Sequence, residues 1–223
     1  MRARPAGPAG VAGLELQVAL ALLDSAPEQA GADNLFWAAK CQALFLRPAI
    51  EPIACAYWQR LDGLGIDEAA ALNLASTLAG RRLVYRKGVA TGHSPEGDVR
   101  FEPLDVATRW LAKIAAAASR PDLLPALPMF AFAQAIMAHP FSDGNGRFAR
   151  LLVHVALARC TGLRRPEIAL APAFYRRAGA MGRALTALSE SRDWAPFNAL
   201  FLSVLEDALA LTKAIHRQRR GRL

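Results

Sequence analysis

Apolar positions recur along most of this chain at intervals of three and four, the spacing that lines one face of a helix. From the N-terminal side, Leu14–Asp24 predicts a short helix. Leu35 to about Phe45, with Asp33 or Asn34 as its cap, predicts a second. Pro48 breaks the chain, and Glu51–Leu61 predicts a third, with Ile53, Ala54, Tyr57, Trp58 and Leu61 in helical register. Asp62-Gly63-Leu64-Gly65 makes a turn. Asp67 stands where an N-cap belongs for a helix running through Ala79, and Gly80 where a C-cap belongs. The stripes on these helices read as core rather than as a ligand pocket.

The pattern changes at Arg81. Leu83-Val84-Tyr85 and Val99-Arg100-Phe101 are the best strand candidates, separated by Gly88, Gly92, Pro95 and Gly97, so a hairpin is expected here. Asp105 is placed to cap a helix from Val106 to Ala118, with Trp110 on its apolar face. Pro121, Pro125 and Pro128 make a stiff connector. Two apolar helices follow, Pro128–Ala138 and Leu151–Cys160, the second with Gly162 as its cap. Both are apolar nearly all round, which predicts burial. Beyond a loop at Arg164-Arg165-Pro166, helical stretches are expected near Phe174–Gly179 and Met181–Ser189. Asp193 is placed to cap a last helix from Trp194 to about Ile215. Residues 1–13 are Ala/Gly/Pro-rich and expected to be disordered. The fold class is therefore mainly α, with one helix-loop-helix unit and one small β-hairpin.

Composition narrows the class. The chain has 223 residues, 53% of them hydrophobic, enough for one domain with a full core. No apolar run is expected to reach membrane-span length, and a secretory leader is not expected from the Pro/Gly-rich start. Cys41, Cys55 and Cys160 are odd in number and widely spaced, which suits reduced thiols in a cytoplasmic protein. The net charge is +8 and the pI about 10.1. That excess could serve an anionic ligand or nucleic acid. The basic tail from Lys213 to Arg222 has no interleaved aromatics, so a solvated helix end is favoured over a nucleic-acid site.

The chemistry is concentrated between the two apolar helices, in His139-Pro140-Phe141-Ser142-Asp143-Gly144-Asn145-Gly146-Arg147-Phe148-Ala149-Arg150. A Gly-Asn-Gly step at a helix start can turn backbone N–H groups inward as an anion nest. Arg147 and Arg150, about one turn apart, can address one polyanion. Asp143 offers the hard oxygen that Mg²⁺ takes when it also bridges phosphates. His139 could remove a proton from a hydroxyl. Phe141, between polar neighbours, is expected to point into the core. These residues describe a phosphate-transfer site.

The same stretch resembles the motif of the Fic (filamentation induced by cAMP) family, H-P-F-x-[D/E]-G-N-G-R-x-x-R, at every fixed position. The resemblance implies an all-α fold and transfer of AMP from ATP to a protein hydroxyl. It implies His139 as base, Asp143 as the Mg²⁺ ligand, and Gly144, Asn145 and Gly146 as the anion hole. Arg147 would grip the leaving pyrophosphate and Arg150 the γ-phosphate end. It further implies one domain over 14–223: N-terminal helices 14–80, a flap hairpin 81–103, a catalytic core 104–162 and C-terminal helices 163–223. The flap, with His93 and Glu96 near its tip, would hold a target segment by strand pairing.

Two departures matter. Many members carry [S/T]-x-x-x-E-[G/N], whose glutamate pairs with the second arginine. Ser76-Thr77-Leu78-Ala79-Gly80-Arg81 lacks the glutamate, and Thr186-Ala187-Leu188-Ser189-Glu190-Ser191 ends in serine. Restraint by a separate antitoxin chain is therefore expected over restraint from within. Met181-Gly182 also stands where many relatives carry a tyrosine pair near the nucleotide, which leaves the nucleobase open. UMP, GMP or phosphocholine transfer, or a non-catalytic binding scaffold, are the alternative readings.

Overall fold

The computed structural model describes residues 67–94, 97–161, 168 and 170–220. The helices expected at Leu14–Asp24, Leu35–Phe45 and Glu51–Leu61, the disorder expected over 1–13, Glu96 and the Gly162 cap lie outside the described residues. What is described is mostly helical with one two-stranded antiparallel sheet.

Helix α1, Glu68–Ala79, starts and stops as its sequence dictates. The Asp67 carboxylate accepts the Ala70 N–H at 2.7 Å, and Gly80 closes the helix at φ 67°. Strands β1, Thr91–Ser94, and β2, Gly97–Arg100, pair with Thr91 opposite Arg100 and Gly92 opposite Val99. Short α2, Leu104–Ala107, and α3, Trp110–Ala118, lead through a 3-10 turn at Pro121–Ala126 into α4, Leu127–Ala138. Then come α5, Asn145–Thr161; α6, Leu170–Arg176; α7, Ala178–Ser191; and α8, Ala195–Arg220. Helices α4 and α5 pack on each other at the centre, with α3 against α4, α1 against α5, and α7 against the hairpin.

α4 has Pro128 in its first turn, where a missing N–H costs nothing, and no breaker until Pro140. Leu127, Met129, Ala131, Phe132, Ala133, Ala135, Met137 and Ala138 are all buried. α5 is buried along Phe148, Ala149, Leu152, Val153, Ala156 and Leu157. Phe141 also lies in the core, 1% exposed, with ring centres 5.2 Å from Phe148 and 6.2 Å from Trp110. A second aromatic cluster, Phe132, Phe174, Phe197 and Phe201, ties α4 to α6 and α8.

Three expectations need correction. Leu83–Tyr85 is extended, as its alternation implies, but its partner is distant. Tyr85 bridges to Phe141, with the Arg86 N–H donating to Pro140 O and the Ser142 N–H to Val84 O, both at 2.9 Å. The hairpin keeps the expected Val99-Arg100 within β2 but pairs it with the less strand-like Thr91–Ser94, because proximity in sequence makes that pairing cheap. Asp105 caps nothing with its side chain; Pro103 stands at the N-cap and the helix is interrupted between Ala107 and Trp110. Finally, two windows, Pro121–Ala138 and Ala195–Thr212, do reach membrane-span length and hydropathy. The first joins the 3-10 turn to α4, and both owe their apolarity to the core they build.

Candidate active site

The turn between α4 and α5 is built by its own residues. α4 ends at His139, which adopts φ 41° and ψ 54° and donates its N–H to Ala135 O. A side chain in this left-handed region costs ~1–2 kcal/mol, so the surroundings must hold it there. Asn145 supplies part of that hold. It is 4% exposed, its Oδ1 accepts the Phe141 N–H at 2.9 Å, and its Nδ2 donates to Phe141 O at 2.8 Å. Gly144 turns the chain into α5 at φ 74°, against Leu83, Ala79 and the Ala75 carbonyl.

His139 is shielded on one ring face by Phe101, with centroids 3.9 Å apart and planes 19° from parallel. Its Nδ1 is buried, with no hydrogen bond of ordinary geometry to it among the described residues. Burial, and then the Arg86 guanidinium, push its pKa down to about 4, against smaller opposing effects of the Ile136 carbonyl and Asp143. The imidazole is therefore neutral at neutral pH and able to accept a proton.

His154, on α5 and 6% exposed, is likewise pushed to about 4 by burial and by Arg150. Both folded values lie below the ordinary 6.5. Between those limits the unfolded chain binds protons that the folded chain refuses, so stability present above pH 6.5 is lost as pH falls toward 4. For His154 the loss is at most roughly 3 kcal/mol. His154→Leu is expected to flatten that slope, measured by denaturant melts at stepped pH.

The other side of the turn is cationic. Asn145, Gly146 and Arg147 form the first turn of α5, whose N–H groups have no intrahelical acceptor. The Gly144 N–H is already committed, donating to Asp143 Oδ1 at 2.5 Å. Arg147 donates to Leu78 O at 3.2 Å and reaches Asp143 Oδ2 at 3.5 Å. Arg150 lies beside Gly146 and makes no ion pair with any described residue; burial, then Arg147, push its pKa down to about 10. Asp143 is held below the usual carboxylate range by Arg81, whose Nη2 lies 2.5 Å from Oδ2, with the Gly144 N–H adding to the effect.

No three His, Cys, Asp or Glu side chains cluster as a metal cage among the described residues. A cation bridging phosphates needs no such cage: one carboxylate, completed by phosphate oxygens and waters, is a donor set that suits Mg²⁺, and Asp143 offers it. Arg81 is the present occupant of that carboxylate.

His139, Asp143, Gly144, Asn145, Gly146, Arg147 and Arg150 are thus gathered on one turn. The side chain of His93 lies outside the described residues. Residues that the sequence reading missed are Arg81, Arg86 and Phe101. Each lies outside the motif and reaches it through chain pairing that local periodicity does not report. The one available signal was the run of charge and aromatics directly after Gly80.

The Fic/DOC family pattern matches residues 92–157, from the hairpin through most of α5. Residues 92–157 are a Fic domain. The described fold is Fic-type as well: it resembles the crystal structure of a Fic family protein from Desulfovibrio desulfuricans G20, with a TM-score of 0.60 at 19% identity. That similarity covers 90% of this chain and 63% of the other, so the chain spans under two thirds of that protein's length. No curated protein matches the sequence.

Proposed function

We propose that this Fic domain transfers AMP from ATP to a Ser, Thr or Tyr hydroxyl of a target protein. The observation that carries the reading is a neutral, half-buried imidazole at the end of α4 that shares one turn with the start of α5 and its two arginines. In this mechanism His139 takes the hydroxyl proton as the oxygen bonds to the α-phosphorus and the bond to the bridging oxygen breaks. The first N–H groups of α5, with Arg147 and Arg150, stabilise the charge that moves onto the departing pyrophosphate. Asp143 would hold Mg²⁺, which would neutralise phosphate charge when bound. The β1–β2 hairpin would receive the target segment as an added strand.

Arg150 lacks a carboxylate partner among the described residues, which supports restraint by a separate antitoxin chain that would bring a glutamate to it. Met181 and Gly182, half-buried and buried on α7, leave the base pocket without a tyrosine pair at that point. That favours testing UMP, GMP and phosphocholine donors beside AMP. The deciding experiment is incubation with a cell lysate and donors labelled on the phosphate that each would transfer, followed by mass spectrometry of the labelled proteins. Labelling from ATP is expected; partner binding without labelling from any donor would mean a scaffold.

Cation binding should report on Arg81. Its ion pair with Asp143 is exposed and so contributes only ~0.2–1 kcal/mol. Arg81→Ala is therefore expected to tighten Mn²⁺ binding to the ATP complex by up to roughly five-fold, read by calorimetry. Weaker binding would instead place Arg81 among the phosphate ligands.

A further inference from the structure

We propose that Arg86 and Phe101 are positioning residues for His139, fastening the root of the hairpin to the imidazole, fixing its plane and setting a permanent positive charge beside it. The proposal rests on the reading of His139 as the base.

Arg86 brackets that residue on both sides in the chain. Its Nε and Nη2 donate to Ala138 O at 3.2 and 2.9 Å, and its own N–H donates to Pro140 O at 2.9 Å. The remaining reach of the fork goes to the two legs of the hairpin. Nη1 donates to Gly88 O at 2.7 Å, ahead of β1, and Nη2 donates to Glu102 O, beyond β2. All four acceptors are backbone carbonyls. The Glu102 carboxylate is turned to Arg192 at 3.4 Å and Lys113 at 3.7 Å, and no carboxylate among the described residues bonds directly to the Arg86 guanidinium. Its charge then complements the C-terminus of α4 and faces the imidazole. Holding the chain at 138 and 140 also explains how His139 keeps a backbone conformation that a non-glycine residue rarely adopts.

Phe101 supplies the second fastening. One ring face stacks on His139. A Cβ at Gly92 in β1 would lie 3.0 Å from the ring, so the hairpin backbone closes over it. The main chain adds two bonds at the same place: Phe101 N–H to Ala90 O at 3.2 Å and Glu102 N–H to Met137 O at 2.9 Å. A disturbance of the hairpin therefore reaches the imidazole through a stacked ring and a guanidinium. The groups that face His139 are Arg86 from the segment before β1, Phe101 after β2, Asp143 from the turn and the Ile136 carbonyl of α4. Of the charged ones, Arg86 opposes protonation more strongly than Asp143 favours it.

The test is a histidine-labelled NMR titration of the full chain, with the His139 signals assigned by their absence in His139→Gln. In the parent, His139 is expected to stay neutral down to about pH 4. In Arg86→Gln the midpoint is expected to rise, short of 6.5 because burial remains the larger cause. In Arg86→Lys the charge persists and the fork does not, so the midpoint stays low while the His139 ring signals broaden or move. In Phe101→Leu those signals lose their ring-current displacement. An unchanged midpoint in Arg86→Gln, or unchanged ring signals in both Arg86→Lys and Phe101→Leu, overturns the proposal. If Arg86→Gln fails to fold, the lysine and leucine variants decide it. The readout needs no turnover. A shifted midpoint in a protein that labels nothing keeps this inference and removes the transfer reading; labelling with an unchanged midpoint does the reverse.

Discussion

His139→Ala is expected to lower transfer from α-labelled ATP by on the order of 10²–10⁴-fold, the usual worth of a positioned base, while nucleotide binding measured by calorimetry stays close to parental. The separation follows from the architecture. The groups expected to grip phosphate, the first turn of α5 with Arg147 and Arg150, lie on the far side of the turn from the imidazole. Alanine at φ 41° carries its own strain and loses the stacking on Phe101, so a fall in activity could reflect local collapse. His139→Asn answers that, because asparagine tolerates the left-handed region better than most residues and cannot act as a base. Loss of transfer in both variants with binding retained supports the assignment. Transfer at the parental rate in either would remove His139 from the reaction.

Asn145→Ala is expected to be among the most destabilising single changes in the domain, costing about 2–4 kcal/mol. Both hydrogen bonds of the Asn145 amide go to the buried Phe141 backbone, so alanine strands a donor and an acceptor together. The neighbouring bridge cannot absorb them, since Pro140 O and Ser142 N–H, not Phe141 itself, make its bonds to Arg86 and Val84. Asn145→Asp sharpens the test. Aspartate keeps the acceptor for the Phe141 N–H but presents a second oxygen to Phe141 O, 2.8 Å from the present donor. Its deficit relative to the parent should therefore shrink on acidification, as the carboxyl gains a proton it can donate. Urea melts of the three proteins check both statements, and a loss below ~0.5 kcal/mol for alanine would show the clamp to be idle.

The sequence reading reached α4 and α5 because their apolar character and their breakers are local: Pro140 ends one helix and Gly144 opens the next. It placed α1 by Asp67 and Gly80, whose capping chemistry is spelled out within a few residues. The motif residues were legible for the same reason, being consecutive. It failed where the partner lies far along the chain. Leu83–Tyr85 carries strand texture without naming Phe141 as its neighbour, so it was given to the nearest plausible strand. Nothing local to Arg81 names Asp143, 62 residues on, as its partner. For Asn145 the sequence suggests a backbone role at the start of α5; the hold that its side chain keeps on Phe141 is an addition to that role.

The Tyr85–Phe141 bridge bears on what may be cut away or transplanted. The stretch matching the Fic family starts after Leu83–Arg86, so a fragment trimmed to 92–157 would carry every motif residue and none of the backbone that receives Pro140 O and the Ser142 N–H. Such a fragment would also lose the arginine that brackets His139. The smallest piece expected to keep the turn in shape therefore reaches back through α1, whose Glu68 carbonyl accepts the Tyr85 hydroxyl at 2.5 Å. A motif confined to twelve adjacent residues thus depends for its geometry on a strip of chain that its own consensus never mentions.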